Sequence, residues 1–240
     1  MDLAGRIAIV TGGSSGLGAQ VCRRLVEAGA LVGVNFSRSE DAARDLVSTL
    51  GADVAHAVRA DVRNEASVSR MVAEVEARFG GPVELLVNNG GVTTYAAAAD
   101  LTSVTAADWE RILAVNLIGP WNCARAVVRS MRARGTGGIV NVASDAAFTL
   151  DGSSVPYVVS KVGLVALTTM LATALAPEVR VNAVAPGWMD TPWLDRYLPP
   201  DVAAELRGGA EPVVEVDLVA QEVVRLLSGH RTGEITQMSG

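Results

Sequence analysis

Apolar residues along the chain follow two spacings. Short β-branched runs occupy Ile7 to Thr11, Leu31 to Phe36, Val54 to Arg59, Val83 to Asn88, Ile139 to Ala143, Val179 to Val184 and Ile235 to Met238. Between them apolar positions recur at helical spacing: Leu17, Val21, Leu25 and Val26 mark one stripe, and Val68, Met71, Val72 and Val75 another. Apolar strands alternating with amphipathic helices predict a parallel sheet covered on both faces. Right-handed crossovers then give a doubly wound α/β fold. No Pro- or Ser-rich linker and no repeat interrupts the pattern, so residues 1–240 read as a single domain. Only 188–209 differs in composition. Pro192, Pro199, Pro200 and the pair Gly208-Gly209 predict an irregular insertion there, with a short helix around Val202 to Leu206. Such a segment is a candidate lid over a site.

Half of the 240 residues are apolar and 19% are charged, which excludes an intrinsically disordered chain. The net charge of −6 argues against a nucleic-acid partner, which would require a basic face. Cys22 and Cys123 have neither metal nor redox spacing, so they predict free thiols in a reducing compartment, the cytoplasm. The opening Met1-Asp2-Leu3-Ala4-Gly5-Arg6 lacks the pattern of a targeting leader. The longest uncharged stretch, Val162 to Pro177, has 16 residues and three threonines. A membrane span needs about 20 apolar residues, so a helix buried in protein is expected instead. With only His56 and His230 and no G-x-S-x-G turn, a hydrolytic triad is not expected. Nor do His, Cys or carboxylates cluster as metal ligands.

The first strand runs into Thr11-Gly12-Gly13-Ser14-Ser15-Gly16-Leu17-Gly18. Glycines permit a tight turn and close approach of a ligand, and a helix starting near Gly16 points N–H groups and its positive dipole end at that turn. A dinucleotide's pyrophosphate suits it, although the spacing is G-x-x-x-G-x-G rather than G-x-G-x-x-G. NAD sites usually place an acid at the end of the second strand. Here that end reads Asn35-Phe36-Ser37-Arg38-Ser39. Arg38 could grip a 2′-phosphate, which favours NADP(H) over NAD(H). A solvated arginine at a helix start would read the same way. The fourth strand ends Asn88-Asn89-Gly90-Gly91, either a tie between strand ends with room for a ribose or an ordinary turn.

Pro156-Tyr157-Val158-Val159-Ser160-Lys161 opens a helix, with Ser153 or Ser154 as a plausible cap. Tyr157 and Lys161, four residues apart, share one face. A phenol titrates near 10, so service as an acid–base group near pH 7 needs about 3 units, or ~4 kcal/mol, of help. A nearby ammonium supplies part, and a positively charged oxidised nicotinamide can supply more. Ser144, at the end of the fifth strand, is placed to hydrogen-bond a substrate carbonyl. Taken singly, each feature is also a common surface or strand-end arrangement.

Together these segments resemble the short-chain dehydrogenase/reductase family. The resemblance spans nearly the whole chain: Thr11 to Gly18, Asp61-Val62, Asn88 to Gly91, Asn116, Ser144, Tyr157 with Lys161, and Pro186-Gly187 followed by Met189 and Thr191. It implies a Rossmann-type fold, with Tyr157 as general acid–base, Ser144 orienting the carbonyl, and Lys161 holding the nicotinamide ribose. It also implies that Asn116 anchors a proton-relaying water, that Asp61 meets the adenine, and that Pro186 to Thr191 line the nicotinamide. A homotetramer or homodimer is implied as well, through the helix 162–176. Three departures stand out: Gly90 where the family has alanine, Asp145 after Ser144, and a shortened C-terminal region.

The expected reaction interconverts a ketone and a secondary alcohol. Trp188, Trp193, Tyr197, Phe148 and Tyr95 suggest a sizeable apolar or ring-bearing substrate. The resemblance is strongest to 3-oxoacyl-carrier-protein reductases. The alternatives are a non-catalytic dinucleotide sensor on the same fold and an NAD-dependent sugar or alcohol dehydrogenase.

Overall fold

The computed structural model describes residues 2–239. Its strands are β1 Ile7–Val10, β2 Leu31–Phe36, β3 Ala55–Arg59, β4 Val83–Asn88, β5 Gly137–Val142, β6 Val179–Pro186 and β7 Ile235–Met238. They form one sheet in the order β3-β2-β1-β4-β5-β6-β7, with every neighbouring pair parallel. The helices are α1 Gly16–Glu27, α2 Glu40–Leu50, α3 Glu65–Phe79, α4 Ala106–Leu113, α5 Gly119–Ala133, α6 Ala146–Thr149, α7 Val155–Leu175, α8 Pro192–Tyr197, α9 Pro200–Arg207 and α10 Val216–Ser228. A π-helical turn, Ala114–Ile118, joins α4 to α5.

Successive strand residues point to opposite faces, which makes two cores. Val10, Val34, Val87 and Val140 pack with Val21 and Leu25 of α1, Leu46 of α2 and Val223 of α10. Ile9, Val58, Leu86 and Ile139 pack with Met71 and Val75 of α3 and Val127 and Met131 of α5. This is the doubly wound, Rossmann-type architecture expected from the apolar pattern. β1 lies between β2 and β4, so chain crossovers leave it in opposite directions. A ligand crevice opens at such a switch point, beyond the carboxyl ends of the strands.

The observed boundaries differ from the sequence expectation where glycine and proline obscure it. β5 begins at Gly137, two residues early, because Gly137 and Gly138 pair with Val179 and Arg180. A Cβ at 137 would lie 2.7 Å from the Met131 side chain, so glycine is there for helix–sheet packing. β6 runs on to Pro186, which pairs with Met238. Region 188–209 holds two helices, α8 and α9, where one short helix was expected, each with proline in its first turn.

A row of buried amides crosses the middle of the sheet. Asn88 Nδ2 donates to Asn141 Oδ1 at 2.8 Å, and Asn141 Nδ2 donates to Thr168 Oγ1 of α7 at 2.9 Å.

Among the described residues, α7 is the one helix long and apolar enough to cross a membrane. It nevertheless packs on β6, α4 and α6. Leu164, Thr168 and Ala172 are buried, whereas Val155, Val159, Val162 and Met170 are exposed. The expected buried helix is thus buried along one side only.

Candidate active site

A cavity of about 1180 Å³ opens over the carboxyl ends of the strands. Every residue predicted to bind a dinucleotide or act in catalysis lines it, except Gly18 and Asn116.

The floor is built by ties between two loops. Thr11 Oγ1 accepts hydrogen bonds from the Asn89 and Gly90 N–H groups, both at 3.0 Å. Asn89 Nδ2 donates to the carbonyls of Thr11 and Gly12, also at 3.0 Å. A Cβ on Gly18 would fall 2.2 Å from the Gly12 oxygen, so this glycine supports the turn from beneath instead of facing ligand. Gly12 and Gly16 have φ of +60° and +52°, the left-handed region that favours glycine. The α1 N-terminus faces the cavity with no acid in its first turn and no side-chain cap from Ser15. Such a turn suits an anion. Asn35 is buried, and its amide binds Gly12 N–H and the carbonyls of Phe36, Val58 and Ala60, so it braces the turn.

Arg38 is exposed at the β2 end of the cavity, and Arg59, Arg63 and Arg70 line the same end. The sequence reading missed these three. Their signal was the position of β3 next to β2, which only the strand order reveals. Asp61, expected to meet adenine, is already paired: Arg63 donates to Asp61 Oδ1 at 2.9 Å and to Oδ2 at 2.6 Å. This guanidinium holds the carboxyl below its usual range. Val62 packs against the α5 start, where a Cβ on Gly119 would lie 2.7 Å from it.

At the other end, Tyr157, Ser144 and Lys161 converge. Ser154 is the N-cap residue of α7 by backbone, but its side chain makes no cap. Instead the Ser153 and Ser154 hydroxyls meet that of Thr93 at 2.7 and 3.3 Å. Tyr157 and Ser144 stand close enough for the serine hydroxyl to lower the phenol's pKa. Lys161 Nζ lies 5.5 Å from the Tyr157 ring centre and donates to the Val142 carbonyl at 2.8 Å. Burial pushes the Tyr157 phenol up to about 12, with the Ser144 hydroxyl opposing and the Asp145 charge reinforcing. Burial lowers Lys161 to about 8. In the polypeptide by itself desolvation is the largest influence on the phenol and raises it.

Asn116 sits in the π-helical turn, a feature that the sequence reading missed and that often marks functional sites. Its Nδ2 donates to the Val92 carbonyl at 2.9 Å and to Ser160 Oγ at 3.0 Å, and its Oδ1 accepts from Val92 N–H. Both amide hydrogens are thus spent on protein.

Trp193 stacks at a tilt on Tyr157, with ring centres 5.9 Å apart, and touches Trp188 at 6.4 Å and Tyr197 at 5.1 Å. Tyr95 also lines the cavity, but Phe148, grouped with it from sequence, does not. Thr191 caps α8 and stands beside the glycine turn, 3.2 Å from where a Cβ on Gly16 would be. His56 pairs with Glu74, away from the cavity.

Residues 6–200 match the family model described as short chain dehydrogenase. The chain is 42% identical over 187 residues to a Streptomyces violaceoruber protein named as ketoacyl reductase 2 of the granaticin polyketide synthase, covering 78% of this chain and 74% of that one. It is 30% identical to the 3-oxoacyl-[acyl-carrier-protein] reductase of Aquifex aeolicus, covering 100% and 98%. The crystal structure of 3-ketoacyl-(acyl-carrier-protein) reductase from Brucella melitensis complexed with NADH superposes with a TM-score of 0.88 at 30% identity, covering 99% and 98%.

Proposed function

The chain belongs to the short-chain dehydrogenase family of oxidoreductases, and from that premise we propose that it interconverts a ketone and a secondary alcohol with NADP(H). The observation that carries this reading is the meeting of Ser144, Tyr157 and Lys161 on one cavity wall, opposite a glycine-built anion floor.

The residues present fit the cofactor. The uncapped first turn of α1 suits its diphosphate. Arg38, which shares the cavity lining with Arg59 and Arg70, suits a 2′-phosphate; NAD(H) is the alternative. Gly91 leaves room beside Lys161, and Pro186 to Thr191 border the same space. When bound, the nicotinamide supplies or accepts the hydride and, oxidised, a positive charge. Tyr157 holds the proton that goes to the carbonyl oxygen. Ser144 orients that oxygen. Lys161 holds the ribose and lends charge to the phenol. Asn116 fixes the loop at 92 against α7 through Ser160, the neighbour of Lys161.

Residues 188–209 form the lid in this reading, and their aromatic side chains favour a ring-bearing substrate. The exposed apolar side of α7, together with exposed Ile118 and Trp121, is the surface we assign to a homodimer or homotetramer. Two buried thiols, Cys22 and Cys123, agree with a cytoplasmic setting. A screen of NADPH and NADH oxidation against a panel of ketones tests the activity: turnover with any of them supports it. Binding of the cofactor with no turnover favours a sensor.

A further inference from the structure

We propose that Asp145 sets substrate specificity, selecting ketones that carry a hydroxyl on the carbon next to the carbonyl. This rests on the ketone-reductase reading and names the substrate class of the same cavity.

Asp145 lines the cavity immediately after Ser144. The Ser144 hydroxyl donates to Asp145 Oδ1 at 3.1 Å, with the Pro186 carbonyl at 3.4 Å, and Ser144 Oγ accepts from Ala146 N–H at 3.3 Å. A hydroxyl has one hydrogen to give. While Asp145 takes it, Ser144 has none for a substrate carbonyl or for the Tyr157 oxygen, and a carboxylate outcompetes a neutral carbonyl as acceptor. A substrate that brings its own donor to Asp145 releases the Ser144 hydroxyl to turn onto the carbonyl. A hydroxyl on the adjacent carbon has the reach to do this, because Asp145 and Ser144 are neighbours. A Cβ at 187 would lie 3.1 Å from Asp145 Oδ2, so Gly187 keeps that side of the carboxylate clear. Burial is the largest influence on Asp145 and raises its pKa; Asp151 adds to this, and the bonds from Ser144 and Ala146 oppose it. An acid held this way gains from a donor and repels a second carboxylate. The Trp193 ring beside Tyr157 provides a wall for the rest of the molecule.

The test uses three ketones with the same ring: methyl phenyl ketone, hydroxymethyl phenyl ketone and methoxymethyl phenyl ketone. Oxidation of the reduced cofactor is followed with the native protein and with Asp145→Ala and Asp145→Asn. The expected native kcat/KM for the hydroxymethyl ketone exceeds that for the methoxymethyl ketone by about tenfold or more. The ratio falls to about one in Asp145→Ala and part of the way in Asp145→Asn. A native ratio near one overturns the proposal, as does an equal loss on all three ketones in the variants; the reductase reading survives either result. No turnover of any of the three by the native protein overturns the reading itself for ring ketones, and the proposal with it.

Discussion

Lys161 lies 5.5 Å from the centre of the Tyr157 ring while its amine is hydrogen-bonded to the Val142 carbonyl. The lysine is therefore anchored by the sheet independently of any ligand. Burial lowers it to about 8, against an ordinary value of 10.5. Between those values the unfolded chain holds a proton that the folded chain has lost, so stability rises with pH across that window. Relative to Lys161→Met, the native protein should gain up to about 3 kcal/mol between pH 8 and 10. Urea denaturation at stepped pH measures it; a constant gap would contradict the lowered lysine.

Tyr157→Phe removes the hydroxyl and keeps the ring that packs on Trp193. Turnover should fall by at least about 100-fold, the range for loss of a general acid–base group. Cofactor affinity, followed by fluorescence titration, should stay within about twofold. Retention of most of kcat would remove Tyr157 from the chemistry.

Arg38→Ala deletes the cation nearest the end of β2 in sequence. NADPH affinity should weaken by about 1–3 kcal/mol, the worth of a charged hydrogen bond, with NADH affinity nearly unchanged. Calorimetric titration with each cofactor decides it, and equal losses would assign Arg38 to the surface.

Gly18→Ala places a methyl 2.2 Å from the Gly12 oxygen, a clash with backbone that no rotamer relieves. Stability should drop by about 1–3 kcal/mol as the turn shifts, and cofactor binding should weaken with it. Denaturation and titration of the same sample test both.

On α7, Val159→Asp puts a charge on the exposed apolar side. If that side joins copies of the chain, sedimentation should show a smaller species than the native protein forms at the same micromolar concentration. An unchanged native oligomer, or a native monomer, would place the assembly elsewhere or dismiss it.

Much of the fold was legible because continuous apolar runs and helically spaced apolar stripes are distinct patterns along the chain. β2, β4 and β7 ended where their apolar runs ended. Gly137 and Gly138 concealed the start of β5 because glycine reads as a turn until Met131 is seen against it. Ser144, Tyr157 and Lys161 could be nominated from order and spacing. The ionisation of the pair could not, since it depends on burial, which one-dimensional spacing does not carry. Arg59, Arg63 and Arg70 stayed hidden because their shared edge depends on the order of β1, β2 and β3. The π-helical turn at Asn116 has no apolar signature to separate it from the helices on either side.

The row formed by Asn88, Asn141 and Thr168 acts as a positional key. Hydrocarbon surfaces can slide past one another at little cost, but a donor that slips one residue loses its acceptor in a place water does not reach. β4 leads directly into the loop of Asn89 and Gly90, and α7 carries Tyr157 and Lys161. The row thus links the strand that feeds the Asn89–Gly90 loop to the helix that carries Tyr157 and Lys161.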